Sequence, residues 1–378
     1  MKSICSFYFL LFLQVSCISQ SYTKLKIPSN YKRVNSLSEK FVGEKIDSLN
    51  AKAFQLSKAL PENFNTQGKV DYTAIIQDVL NNNVVVNFPN CPLLINSTGL
   101  TLKSNSTLLF PKNSKLVAIG NNLPSYEILR IHDVSNLSLY APTIIGERDL
   151  HTSTKGEWGM GISIRGSEDV KVYNATISNC WGDGIYIGSG KGPNINIVIE
   201  NASLDNNRRN GISVISAINL QIISPLISNT NGINPMAGID IEPNTNGEEL
   251  QNINIINAIT FNNKNRGILL ALNNFYGHTI KDISINILNH TDDQSGFAIG
   301  MSLDSQKDLN RNSVQGRINI KNSLWKKSKI SPIQFYDLKN DRIKVDFTNS
   351  VIDSKSTTTA QMLGIKLKYK DFDWVKFK

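Results

Sequence analysis

The sequence predicts an all-β chain wound into a parallel β-helix, and three observations carry that prediction. The dipeptide Gly-Ile followed by alternation returns as GISI at Gly161, GIYI at Gly184, GISV at Gly211, GIDI at Gly238 and GILL at Gly267, with GFAI at Gly296 as a looser sixth copy. Between these copies lie further strand-like runs: VKVYNATI from Val170, INIVIENASL from Ile195, LQIISPLI from Leu220, INIINAITF from Ile253 and ISINIL from Ile283. The repeat is 23 to 29 residues long and its corners are rich in Asn and Gly. One such rung cannot bury its inward side chains alone, so rungs stack, about 4.8 Å apart along the coil axis. Leucine-rich repeats share the period, but the leucine consensus and helical arcs they need are absent.

The elements follow in chain order. MKSICSFYFLLFLQVSCISQ has Lys2, an apolar run from Ile4 to Leu13 and then small polar residues, the order of a secretory signal peptide over residues 1–20. A secreted, periplasmic or cell-surface protein is expected. Cys17 adds the alternative of lipid anchoring, although Gln14 stands where such sites usually carry Leu. No later run is long and apolar enough to span a bilayer. Residues 21–66 read as a polar N-terminal extension with helical character in EKIDSLNAKAFQLSKAL. VDYTAIIQDVLNN, Val70 to Asn82, places Ile75, Ile76, Val79 and Leu80 on one helical face, with Asp71 or Thr73 as N-cap. That short amphipathic helix is expected to plug the open end of the coil. The β-helix then runs over 67–337. Residues 338–378 close it, the last of them, GIKLKYKDFDWVKFK, as an alternating strand. Asn207, Asn234 and Asn263, each four residues before a rung glycine, are expected to stack at one corner, because Asn tolerates left-handed backbone and bonds its neighbours.

Composition narrows the chemistry. The 378 residues are 40% hydrophobic, enough for a sizeable core. The formal charge of +9 on an exported chain points to polyanions, with an acidic polysaccharide preferred and no nucleic acid expected. Outside the leader only Cys91 and Cys180 remain, far apart and without metal-ligand spacing; small buried residues are the better reading and a disulfide the alternative. His132, His151, His278 and His290 form no metal-binding pair, so no resident metal is expected.

The D-x-T-x-x-I-Q-x-x-L pattern of the capping helix, the V-V-V-x-F-P first strand and the Gly-Ile rungs resemble the pectate-lyase-like superfamily over about Gln67 to Tyr336. The resemblance implies a right-handed parallel β-helix. It does not imply one activity, since such folds carry lyases, hydrolases, epimerases and phage tailspikes. The pectate-hydrolase branch carries an Asn-x-Asp, an Asp-Asp pair and a Gly-His-Gly. This chain has a single Asp183 in WGDGI, no Asp-Asp on a Gly-Ile rung and no Gly-His-Gly, a departure that counts against pectin hydrolysis and leaves polysaccharide processing.

Aligning rungs on their glycines gives a surface map. In AGIDIEPN, alternation turns Ile239 and Ile241 inward and Asp240 and Glu242 outward, roughly 6–7 Å apart. Asp183 lies two rungs away. Arg208 and Arg209 occupy the rung between, Arg266 the rung after, and Trp158, Trp181 and Tyr186 neighbouring positions. Indoles stack on sugar rings, arginines grip carboxylates or sulfates, and paired carboxylates do acid–base work. Asp240, Glu242 and Asp183 are therefore the candidate catalytic acids. Arg208, Arg209, Trp158, Trp181, Glu157, Tyr186 and Arg266 are the candidate substrate ligands. The Gly-bounded excursion GERDLHTSTKGEWGMG adds Glu157 and Trp158 to the groove, and His151 as a further candidate base. Hydrolysis of a glycosidic bond is the first expectation. The alternatives are β-elimination or uronate epimerisation, with Ca²⁺ held by Asp183, Asp240 and Glu242, and a non-catalytic carbohydrate-binding coil. The sequence leaves the oligomeric state open.

Overall fold

The computed structural model describes residues 22–31, 36–305, 313–337, 339–353 and 374–377. The leader and Cys17 lie outside the described residues.

Among the described residues, alternating apolar side chains at rung spacing build three parallel sheets of 12, 9 and 10 strands, each strand pairing with its equivalent one coil later. Two isoleucine columns show the logic. In the nine-stranded sheet Ile162, Ile185, Ile212, Ile239, Ile268 and Ile299 are successive register partners. In the twelve-stranded sheet Val172, Ile199, Ile222, Ile255, Ile287 and Ile320 are likewise aligned. All are buried inside the coil. Each contributes about 1.5–3 kcal/mol on leaving water, and none has a partner until the next rung is in place.

The rung glycines are aligned as expected, for a steric reason. A Cβ at Gly211 would sit 2.6 Å from the Gly238 carbonyl oxygen, and one at Gly238 2.6 Å from that of Gly267. The looser sixth copy is misplaced: Arg266 pairs with Phe297 and Ile268 with Ile299, so Ala298, not Gly296, continues the column.

Asparagine does shape the corners, mostly one residue away from the expected positions. Asn174 and Asn201, Asn179 and Asn206, and Asn229 and Asn262 all have φ between 53° and 58°. They form side-chain ladders in which the later residue donates to the earlier at 2.7 Å. Asn207 and Asn263 are buried in an adjoining column with Thr230 between them; their side-chain carbonyls accept the Cys180 and Thr230 amides. Asn234 is exposed and outside that column.

The predicted capping helix is α2, which follows α1 (Ser36–Asn50) and spans Thr73–Asn82. Asp71 starts α2 by accepting the Thr73 amide at 2.9 Å and its hydroxyl at 2.5 Å. Ile76, Val79 and Leu80 enter the main core, while Ile75 is only partly buried. Helix α1 lays Val42 against Leu109 and Tyr140 on the outside of the coil. Residues 22–31 run along the ten-stranded sheet, where Tyr31 covers Leu226 and Phe261. At the far end, Ile343–Thr348, Val351–Ile352 and Val375–Phe377 add further parallel strands. Cys91 and Cys180 are free thiols.

Candidate functional site

The outer face of the nine-stranded sheet carries the charged residues. Tyr186, Ser213, Asp240 and Leu269 are register partners in one outward column. Glu242 follows the strand Ala237–Ile241 and keeps its place through its amide, which donates to the Val214 carbonyl at 2.9 Å. Arg209 reaches over this face from the corner before the strand Ile212–Val214.

Arg209 is the centre of the cluster. Its Nη1 donates to Asp183 Oδ2 at 3.1 Å and its Nη2 to Glu242 Oε2 at 3.2 Å, and Glu157 Oε2 lies 4.0 Å from its Nε. Asp183 also accepts the Ser213 hydroxyl at 2.9 Å and the Asn210 amide at 3.0 Å. Asp240 Oδ2 accepts from Asn210 Nδ2 at 3.0 Å, while its Oδ1 has no donor. Burial, then the neighbouring charge of Glu242, pushes the Asp240 carboxyl well above the usual carboxylate range, against the pull of Arg209. Burial pushes Asp183 up as well, opposed by Arg209, Ser213 and Asn210. Burial alone would lower the Arg209 pKa; Asp183, Asp240, Glu242 and Glu157 together raise it.

A cleft of about 380 Å³ opens beside this cluster, lined by Glu157, Trp158, Arg165, Tyr186, Arg209 and Glu242 among others. That volume suits a sugar unit or two. Trp158 is 45% exposed. Five of the expected site residues therefore meet at one cavity: Glu157, Trp158, Tyr186, Arg209 and Glu242.

The others are placed differently. Asp240 faces outward, as alternation requires, and Asp183 stands at the corner before the strand Ile185–Gly188, yet both are fully covered; Arg209 and neighbouring rungs fold over them. Trp181 is no open platform, since Arg208 stacks on it at 3.5 Å and His151 at 3.8 Å. The His151 side chain is completely buried, with Nδ1 3.0 Å from Glu147 Oε1, an oxygen that also accepts the Tyr126 hydroxyl. His151 thus faces no solvent from which to act as a base. Arg208 is held by the carbonyls of Gly156 and Trp181. Arg266 donates to Gln334 at 3.0 Å, with its guanidinium beside Phe297 and Tyr336, and does not line the cleft.

Sequence reasoning missed Arg165, Asn210 and Ser213. Arg165 stacks over Tyr186 at 4.4 Å and pairs with Glu127 at 3.2 Å. Burial opposes ionisation of Glu127, but His132, Ser163 and Arg165 bring it down to about 2. Arg165 stands four residues after its rung glycine, as Glu242 does after Gly238, so the glycine alignment already contained the signal. Asn210 and Ser213 carry no such signal, because their importance lies in what they bridge.

Calcium does not fit the expected ligand set. The guanidinium of Arg209 occupies the space between Asp183 and Glu242, where the ion would sit. Among the described residues no group of three or more acidic, histidine or cysteine side chains is arranged to hold a metal.

No family model matches the sequence. The chain is 28% identical over 271 residues to the uncharacterized protein YclG of Bacillus subtilis strain 168, covering 62% of this chain and 45% of YclG. It is 29% identical over 162 residues to the SPbeta prophage-derived uncharacterized protein YorA of the same organism, covering 38% of this chain and 28% of YorA. The chain thus spans less than half the length of these relatives. Among solved structures it resembles the N-terminal fragment of bacteriophage Phi29 gene product 12 (TM-score 0.57, 14% identity, 83% of this chain and 60% of that one). It also resembles the hexasaccharide-bound tailspike protein of E. coli bacteriophage HK620 (0.55, 12%, 81% and 58%). A third is the polygalacturonase of Erwinia carotovora ssp. carotovora (0.51, 16%, 84% and 98%). The chain has the right-handed parallel β-helix fold that polygalacturonase-type proteins share.

Proposed function

We propose that the protein is an exported carbohydrate-active β-helix that cleaves glycosidic bonds of a polysaccharide by hydrolysis. One observation carries the reading: two partly exposed carboxylates, Glu157 and Glu242, line a cleft beside an exposed indole, with Arg209 between them. In this reading Trp158 stacks on a sugar ring, Glu242 protonates the leaving oxygen and Glu157 takes the proton of the attacking water. The path through the guanidinium caps the separation of the two carboxylate oxygens at about 9.5 Å. That limit admits the spacings paired carboxylates use in glycoside cleavage, about 5–5.5 Å for retention and about 6.5–9.5 Å for inversion. Asp183, covered and bonded by four donor contacts, anchors Arg209 instead of meeting substrate.

The expectation of an acidic polymer rests on the net charge of the whole chain. The cleft lining carries two acids, Glu157 and Glu242, against two arginines, Arg165 and Arg209, a local balance without net positive charge that favours a neutral polymer over a uronate. Elimination and epimerisation both need a free base beside a neutralised carboxylate, and Arg209 is already committed to three acids. A second reading, binding without cleavage, is favoured by that same commitment, because it leaves Glu242 paired.

The test is a panel of neutral and acidic polysaccharides, assayed for reducing ends and for near-ultraviolet absorbance. Hydrolysis predicts new reducing ends and no absorbing product. An absorbing product would replace hydrolysis with elimination. Retention of a polymer without any cleavage would leave the binding reading, and neither binding nor cleavage across the panel would remove both.

A further inference from the structure

The hydrogen-bond inventory around Asp240 points to more than a paired acid. Asp240 is fully covered. The groups facing it are Asn210, Glu242, Arg209, Asp183 and Arg266. Of these, only Asn210 donates a hydrogen bond to it. The orientation of Asn210 is not free. Its Oδ1 accepts the Ala237 amide at 3.0 Å, which fixes Nδ2 as the group that donates to Asp240 Oδ2 and, also at 3.0 Å, to Ser213. Oδ2 of Asp240 is therefore an acceptor. Its Oδ1 is buried, has no donor, and its carboxyl lies within hydrogen-bonding reach of the Glu242 carboxyl. Two carboxyl groups in such contact without an intervening donor hold one proton between them, because both oxygens can only accept when both are ionised. Asp183 is the contrast: Arg209, Ser213 and the Asn210 amide supply donors to both of its oxygens, and it needs no proton.

We propose that Asp240 and Glu242 share a single proton, resident on Asp240 Oδ1 and directed at Glu242, and that Asp240 acts as a covered proton store behind the cleft. This makes Asp240 a positioning residue and Glu242 the group that meets substrate, and it rests on the hydrolytic reading only for its role in turnover. The proton balance is complete. Glu242 gives its share of the proton to the leaving oxygen as the glycosidic C–O bond breaks. Water forms the new C–O bond and loses a proton to Glu157. That proton returns through solvent to the Asp240–Glu242 pair. During the step the pair carries two negative charges, and Arg209, bonded to Glu242, lies where it offsets the second.

Asp240→Asn preserves the shape, still accepts from Asn210 through its carbonyl, and donates an N–H to Glu242 without titrating. A folded state that holds a proton the unfolded chain has lost becomes less stable as pH rises. The melting temperature of the wild-type protein should therefore fall relative to Asp240→Asn from about pH 5 upward, by ~2 °C per pH unit until the pair ionises. The wild-type minus Asp240→Asn infrared difference spectrum at pH 7 should contain the band of a protonated carboxylic acid, over and above the Asp292 acid that both proteins carry. Should that variant not fold, Glu242→Gln serves the same comparison: the new amide donates to Asp240, and the same band appears in the wild-type minus variant difference. Parallel melting profiles and an unchanged infrared spectrum would overturn the proposal even in a protein that cleaves polysaccharide. A failure to cleave any polymer would remove the hydrolytic reading and leave both of these readouts standing.

Discussion

At the residue scale, Arg209 is the side chain on which the site depends. It is 11% exposed, and it answers Asp183, which is not exposed at all, together with Glu242. Removing one partner of a buried ion pair leaves a charge without compensation and costs about 3–5 kcal/mol. Arg209→Met is therefore expected to lower stability by that amount in denaturant unfolding, while Arg208→Met, which removes a cation stacked on Trp181, costs less. The sequence showed both arginines and both acids but not this difference. Alternation fixes which way a side chain leaves the strand. It does not say what closes over it. Asp240 is outward-facing and fully buried because residues some 30 positions earlier cover it, and coverage of that kind depends on side-chain reach between rungs.

At the element scale, the strand Thr291–Asp293 carries a buried polar relay inside the coil. Trp325 Nε1 donates to His290 Nδ1 at 3.3 Å, so the His290 proton is on Nε2, 2.8 Å from Thr260 Oγ1. The Thr260 hydroxyl then donates to Asp292 Oδ1 at 2.7 Å. Burial lifts Asp292 to about 7 and lowers His290 to about 3. The signs oppose each other. From about pH 4 to 7 the folded chain keeps an Asp292 proton that the unfolded chain has lost, so this contribution to stability declines as pH rises. From about pH 3 to 6.5 the unfolded chain carries a His290 proton that the folded chain lacks, so this contribution grows as pH rises. Asp292→Asn removes only the first. Relative to the wild-type protein it should gain about 1.4 kcal/mol per pH unit between pH 4 and 7, read from urea unfolding at several pH values. A difference independent of pH would mean that Asp292 does not hold its proton.

The corners are the other element-scale device. Asn229 sits at φ 57° and is buried; it accepts from the Leu25 amide and from Asn262, and it donates to Asp205 and to the Leu25 carbonyl. Asn229→Ala places a Cβ-bearing residue without a capping amide in left-handed backbone and leaves buried partners unmet, at a cost of about 3 kcal/mol. It should also free residues 22–31 for limited proteolysis, because Leu25 loses its anchor. The asparagine-rich corners were legible as composition. Their register was not, since the ladders sit one residue away from the column that the glycine spacing singled out.

At the scale of the whole molecule, the fold was legible because it repeats. Each rung spells the same inward alternation, and the same glycine returns wherever successive backbones approach too closely for a Cβ. The capping helix was legible for a related reason, since its apolar face has nowhere to go but the open end of the coil. The candidate site was half-legible. Glu157, Trp158, Tyr186, Arg209 and Glu242 converge on the cleft, whereas Trp181, His151, Arg208 and Arg266 are spent on stacking and hydrogen bonds within the protein. Nothing in a linear pattern distinguishes an indole that faces solvent from one sandwiched between an arginine and an imidazole.

The net charge of +9 likewise describes the whole surface and not the cleft, where two acids face two arginines. The central claim is that this cleft is a hydrolytic site in which Glu242 delivers the proton. Its most direct test is the rate at which wild-type protein and Glu242→Gln release reducing ends from a cleaved polysaccharide, with melting temperatures measured alongside. The account predicts a loss of about 10²–10⁴-fold in rate in a variant that still folds. Release of reducing ends at an undiminished rate by Glu242→Gln would contradict it.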